Sequence, residues 1–228
     1  MQQGEHTAEN TAAAAAGGSQ KVPRQRRAVE TRMALLQAVE DIVAAEGVEA
    51  VTTTSVAERA GVSVGSLYRY FKDRNALLLA AYDATVVRIA AASARKLASL
   101  DEDTPVEEAA RHLLEVYLKI AEAIPAHAGL LKVMRSIRPM GDEQDAANVT
   151  IASNLIAPFL KKFSPAAQSD PARLHFMNVL IANLVDLYLV MPGTRPERAA
   201  MRAEIEAHML LALERAIRPH RRMDLERD

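Results

Sequence analysis

The chain has 228 residues, half of them apolar, and its 28 basic and 29 acidic residues leave a formal net charge of −1. A sizeable core can be buried, but no global charge draws the chain to nucleic acid, so any such interaction must rest on local charge. There is no cysteine, which excludes a disulfide framework and thiolate metal sites and fits a cytoplasmic location.

Residues 1–20 are rich in Ala, Gly, Gln and Thr without apolar periodicity, and are expected to form a disordered tail. The short run Ala12–Ala16 follows polar residues, so no signal peptide is expected. From about Ala28 the pattern is helical: Met33, Leu36, Val39 and Val43 recur at spacings of three and four and predict one buried face. Gly47 is placed to stop that helix in a left-handed conformation, with Val48 packing back on Val43. A short helix follows, with Thr52 as N-cap or with a capping box from Ser55 to Glu58, and with Val56, Ala57 and Ala60 inward. Gly61 then permits a sharp turn, Val62 plugs the gap between helices and Ser63 caps the next helix, which Leu67 and Phe71 anchor to the core. Asp73 caps another helix, beginning near Arg74 and running to about Ser99. Beyond it the sequence predicts helices over about Thr104–Ile124, Ala126–Ile137, Asp142–Phe163, Asp170–Met191 and Thr194–Ile217, with a break at Pro139-Met140-Gly141. No strand-like alternation occurs, so the class is all-α. No membrane span is expected, because the most apolar stretch, Val179–Met191, is short and interrupted by Asn183 and Asp186.

Residues 52–70 follow the helix-turn-helix plan, in which a bracing helix presents the N-terminal turn and outer face of a second helix to the DNA major groove. The outward groups Ser66, Tyr68, Arg69 and Tyr70, with Lys72 and Arg74 just after, are phosphate and base-edge donors. Tyr68 and Tyr70 have a second reading as partly core aromatics. Upstream, Lys21, Arg24, Arg26, Arg27 and Arg32 set five positive charges against Glu30, which suits an arm along the DNA backbone or in the minor groove.

The stretch Val51–Phe71, with its Ala60-Gly61-Val62-Ser63 turn and its Leu67-Tyr68-Arg69-Tyr70-Phe71 run, closely resembles the DNA-binding signature of the TetR family. The resemblance covers about Arg27–Leu79; beyond it only the arrangement of helices matches. After the tail (1–20), it implies a three-helix helix-turn-helix DNA-binding domain with a basic arm (21–73) and a helical ligand-binding and dimerisation domain (74–228). It implies that Thr53 and Thr54 touch phosphate or base, that Ser63, Val64, Gly65 and Ser66 face the major groove, and that Tyr68, Tyr70 and Arg74 contact phosphate. The family often carries a long polar side chain at position 64. Val64 offers only apolar contact, for example with a thymine methyl, so base readout is expected to lean on Ser66, Arg69 and the arm.

The last two long helices are apolar on more than one side. Leu174, Met177, Ile181, Leu184 and Tyr188 form one stripe, while Phe176, Val179, Leu180, Leu187 and Val190 cover other faces. A second apolar side needs a second partner, most economically the same helix pair of another copy, so a homodimer through about 170–217 is expected. By the same resemblance the intervening helices enclose a small-molecule effector. Its candidate partners are Tyr117, His127, Asn178 and Asn183, with Met134 and Met177 as an adaptable wall. Asn178 and Asn183 are equally readable as structural amides, His127 as exposed, and Asp186 as paired with an arginine across the dimer interface rather than as a ligand anchor.

No catalytic or metal site is expected. Gly61–Ser66 lacks the Lys-Ser/Thr ending of a phosphate-binding loop and follows a helix, and the six histidines show no close ligand pairing. The expectation is a ligand-regulated repressor of a pseudo-palindromic double-stranded DNA operator, without a cofactor, catalysis or a membrane.

Overall fold

The structure is a computed structural model that describes residues 21–138, 151–164 and 171–217. Every element in these segments is helical. In chain order they are α1 (Lys21–Glu46), a 3-10 turn (Val48–Ala50), α2 (Thr53–Arg59), α3 (Val64–Tyr68), α4 (Arg74–Ala98), α5 (Val106–Glu122) and α6 (His127–Ile137). A π-helical turn (Ala152–Ile156) then leads into α7 (Ala157–Phe163), followed by α8 (Pro171–Val190) and α9 (Arg195–Ile217). The tail (1–20), the break at 139–141 and the start of the helix predicted from Asp142 lie outside the described residues.

Helix α1 begins earlier than the sequence predicts. The basic lead-in continues the helix back to Lys21, because Arg, Gln and Ala are strong helix formers and Pro23 sits in the first turn, where its missing N–H breaks no intrahelical bond. Its inner face is Leu35, Leu36, Ala38, Val39, Ile42 and Val43; Met33, predicted to share that face, is 64% exposed. Gly47 ends the helix at φ 86°, and its N–H reaches the Val43 carbonyl at 3.1 Å.

Between the two capping alternatives for α2, the structure takes Thr52. Its hydroxyl accepts from the Ser55 N–H, and the Ser55 hydroxyl in turn receives the Thr52 N–H at 2.9 Å. Gly61 makes the turn at φ 67°, a conformation that glycine adopts without strain. Ser63 then caps α3 by accepting from the Ser66 N–H at 3.1 Å, and Asp73 caps α4 by accepting from the Ala76 N–H at 2.7 Å. Leu67 and Phe71 are buried, as their spacing predicts.

Helix α4 is the spine of the molecule: α1, α5, α6 and the π turn all pack on it. By length and composition it is apolar enough to cross a membrane, contrary to the sequence-based expectation that no segment is. Its buried residues, among them Leu77, Leu78, Ala81, Tyr82, Val86, Ile89 and Ala90, face neighbouring helices, so its apolarity is that of a central core helix. Polar ties fix its partners. Arg88 of α4 pairs with Glu40 of α1, and Arg138 makes a two-pronged pair with Asp83 at 2.8 and 2.9 Å. Helices α8 and α9 form a hairpin against α5, and α6 packs against α8. Thr194 opens α9: its backbone N–H and its hydroxyl both donate to the Glu197 carboxylate.

The widening to a π turn over Ala152–Ile156 has a local cause. Pro158 has no N–H to donate to the preceding turn, and the backbone accommodates this by over-widening one turn before it.

Candidate DNA interface and ligand cavity

The two short helices α2 and α3 meet at the outer end of α1. Val56, Ala57 and Leu67 are the buried pins that set the angle between them. Helix α3 has five residues, shorter than the sequence predicts. Its last turn tightens through Arg69 N–H to Ser66 O (3.2 Å) and Tyr70 N–H to Leu67 O (2.9 Å), so Arg69 and Tyr70 stand in the turn that follows the helix.

The predicted DNA-contacting residues fall into three settings. Thr54, Ser63, Gly65, Tyr68 and Arg69 are exposed. Thr53, at the start of α2, comes within 3.5 Å of the Tyr68 hydroxyl, which brings the two helices' candidates to one surface. Ser63 and Ser66 hydroxyls are 3.0 Å apart at the first turn of α3. Val64 and Tyr70 are half-buried and pack partly against the core, so each divides its side chain between core and surface.

In the lead-in, Arg26 and Arg27 are exposed on helix α1, with Arg26 paired to Glu30 at 2.9 Å; the side chain of Arg24 lies outside the described residues. The arm is therefore helical from Lys21. Arg32 lies over the Phe71 ring, 5.6 Å from its centroid. The Arg74 guanidinium turns inward: Nε donates to Val51 O at 2.6 Å and an Nη to Val48 O at 2.8 Å. It ties the start of α4 to the loop that leads into α2, while the α4 N-terminus stays beside the helix-turn-helix.

A second feature is a cavity of about 90 Å³ between α4, α5, the π turn, α7, α8 and α9. That space exceeds what one water needs, and its wall is mostly apolar, so it suits an apolar guest rather than ordered water. Of the predicted ligand residues, Tyr117, Met177 and Asn178 line it. The other three lie elsewhere. Met134 is a core residue of α6, 1% exposed. Asn183 faces away from the cavity and turns its amide back to the Val179 carbonyl at 2.7 Å, the structural role left open by the sequence.

His127 is buried rather than exposed, at 2% exposure, and stacks on Tyr82 with ring centroids 5.7 Å apart. The single hydroxyl hydrogen of Thr85 points to Tyr82 O at 2.7 Å, so His127 donates from Nδ1 to Thr85 Oγ1 at 2.8 Å. Burial, and next the Arg88 charge, hold its pKa down to about 4. It reaches the cavity only through Tyr82.

Asp186, too, lines the cavity, and it pairs with Arg135 of α6 in the same chain. Tyr117, buried beside it, is pushed well above the usual phenol range, first by burial and then by the Asp186 charge. Its hydroxyl therefore keeps its proton. The walls contributed by Tyr82, Phe159, Leu160 and Met209 carry no sequence signal beyond ordinary core periodicity; the proline that shapes the π turn is the one local hint.

Residues 35–81 match the family model described as bacterial regulatory proteins, tetR family. The chain is similar to the HTH-type transcriptional repressor KstR of Mycolicibacterium smegmatis, at 42% identity over 78 residues, which cover 34% of this chain and 37% of that one. The match thus spans just over a third of that relative's length. Among solved structures, a tetR family transcription regulator from Shewanella sp. PV-4 aligns with a TM-score of 0.58 at 21% identity, covering 80% of this chain and 97% of that one. FadR of Thermus thermophilus, a transcriptional repressor solved with lauroyl-CoA, aligns with a TM-score of 0.57 at 22% identity over 83% of this chain and 96% of that one. The chain therefore shares the fold of these regulators over about four-fifths of its length.

Proposed function

From the match of residues 35–81 to the tetR family of bacterial regulators, we propose that the chain is a sequence-specific transcription repressor released from its operator by a small molecule. One observation carries the reading: on the helix-turn-helix, Thr53 of α2 meets Tyr68 of α3, and Ser63, Gly65 and Ser66 form the first turn of α3, with Arg69 exposed just after the helix. On this reading residues 21–73 dock on DNA, and residues 74–228 hold the effector and pair two copies. Tyr68, Tyr70 and the arginines of α1 position the domain on phosphates; Ser66, Arg69 and Val64 read bases. Arg74 serves mainly as an internal brace, and the N-terminus of α4 supplies the positive end of a helix dipole.

A homodimer follows from the α8–α9 hairpin. Phe176, Leu187 and Leu211 are 67, 48 and 47% exposed on its outer side, which is the surface a two-fold four-helix bundle would cover. Such a dimer places two α3 helices to read a pseudo-palindrome with half-sites about 34 Å apart. The effector occupies the cavity, and DNA affinity falls by the ratio of its affinities for the two spacings of the heads. The reading implies cytoplasmic residence beside the DNA and no catalysis.

The test is selection of bound sites from a random duplex library by the purified full-length protein. An enriched pseudo-palindrome is expected. Binding without any sequence preference at any salt concentration overturns the reading.

A further inference from the structure

The cavity is asymmetric in its chemistry. Most of its wall is hydrocarbon, from residues such as Leu114, Leu155, Phe159 and Met209, and no Lys, Arg or His lines it among the described residues. Its polar groups include Tyr117 of α5 with Asp186 of α8, whose charge acts on it, and Asn178, about 12 Å away along α8 from Asp186. The arginine that neutralises Asp186 belongs to α6 and is not part of the wall, so the carboxylate is on the cavity side of the pair.

That order of groups selects among guests. An anionic head brought to this end meets a carboxylate first and finds no cation in the described wall. A neutral hydroxyl meets an acceptor in Asp186 and a protonated phenol in Tyr117, so both its hydrogen and its lone pairs are satisfied. We propose that the effector is a predominantly apolar, uncharged molecule bearing a hydroxyl group, whose hydrocarbon body lies along the apolar wall and whose hydroxyl donates to Asp186 beside Tyr117. The assignment rests on the proposed function only in calling this guest the effector; occupancy of the cavity is a separate claim. Because Asp186 is paired with Arg135, the hydroxyl contact bears directly on the side chain that holds α8 to α6.

The experiment compares 1-decanol with decanoate by calorimetric titration of the full-length wild-type protein at pH 8, where decanoate is ionised. 1-Decanol is expected to bind once per chain and about tenfold or more tighter than decanoate, the scale of one hydrogen bond to a charged group. Equal or tighter binding of decanoate, or no binding of 1-decanol up to its solubility, overturns the proposal. Tyr117→Phe keeps the ring and the packing, and is expected to narrow the preference several-fold; an unchanged preference places the hydroxyl elsewhere and overturns the assignment. Asp186→Asn removes the carboxylate charge and is expected to raise decanoate affinity towards that of 1-decanol, with the unfolding midpoint measured alongside to show that the variant folds. Release of the selected operator duplex is measured separately. If 1-decanol binds with this preference but leaves the duplex bound, the ligand chemistry stands and the repressor-release reading fails.

Discussion

Gly65 stands in the first turn of α3 with only the Ser63 hydroxyl oxygen, 4.0 Å away, near the place a Cβ would take. Nothing inside the protein requires a glycine there, and Ala has a helix propensity better by about 1 kcal/mol. A glycine at an exposed, unstrained helical position makes sense when something outside approaches the backbone closely. Gly65→Ala is therefore expected to keep or raise the thermal midpoint while weakening operator binding about tenfold, read by scanning fluorimetry and fluorescence anisotropy; unchanged DNA affinity would remove the first turn of α3 from the interface. Tyr68→Ala, at an exposed position beside Thr53, is expected to weaken binding to operator and random duplexes alike, whereas Arg69→Ala shifts which sequences are preferred.

His127 gives a pH prediction at the same scale. Its pKa falls from 6.5 to about 4 on folding, because burial and Arg88 penalise the charged ring. Between those values the unfolded chain binds a proton that the folded chain refuses. Stability therefore falls as pH drops through 6.5 and levels off below about 4, by an amount on the order of 3 kcal/mol. Urea midpoints of the wild type should decline over that window, and those of His127→Gln should decline less. Parallel profiles would mean that the imidazole is not held neutral.

At the scale of elements, α6 connects the two functional regions. A Cβ at Gly129 would stand 3.0 Å from Val43 Cγ1 and 3.4 Å from Val48 Cγ2, so α6 lies close against the end of α1 and the 3-10 turn that leads into α2. Further along the same helix, Arg135 is tied to the cavity residue Asp186. On the proposed function, a displacement of α8 by a guest would reach the helix-turn-helix through these contacts of α6. Gly129→Ala should cost about 1–3 kcal/mol, because Val43 must shift in a packed core. It should also change operator affinity although residue 129 touches neither DNA nor cavity. A variant with altered stability but wild-type operator affinity would show that this contact carries no coupling. The caps of α2, α3 and α4 act at the same scale; those of α3 and α4 were legible in the sequence, because an N-cap side chain bonds to a backbone group only two or three residues away, while for α2 the sequence left two caps open.

At the scale of the molecule, the proposed dimer rests on the outer side of the α8–α9 hairpin. Leu187→Glu sets a charge in the middle of that exposed apolar surface, and should leave the monomer fold intact while dissociating the dimer in sedimentation. Operator affinity should then drop by at least about tenfold, because one half-site no longer raises the effective concentration at the other. A Leu187→Glu protein that remains dimeric would move the interface to another face. Salt should weaken operator binding steeply, by about a thousandfold between 50 and 200 mM if six or more phosphates are neutralised.

The all-α class, the helix-turn-helix, its glycine turn and the caps of α3 and α4 were determined by the sequence alone, since each is written in spacings of two to four residues: apolar periodicity, a side chain bonding to the next turn, a glycine where φ is positive. Only the tertiary structure decided what faces what. Periodicity shows that Asp186 and Tyr117 lie on largely apolar helices, but not that they share a cavity or that the partner of Asp186 is Arg135, 51 residues earlier in the chain. It predicted a buried Met33 that stands in solvent and left open an exposed His127 that is buried, because a helix encodes which of its faces is apolar and not how far its neighbours reach along it. The cavity is a property of packing between helices distant in sequence, and in a core built from ordinary Leu, Ile, Met and Phe no local pattern records where that packing leaves space.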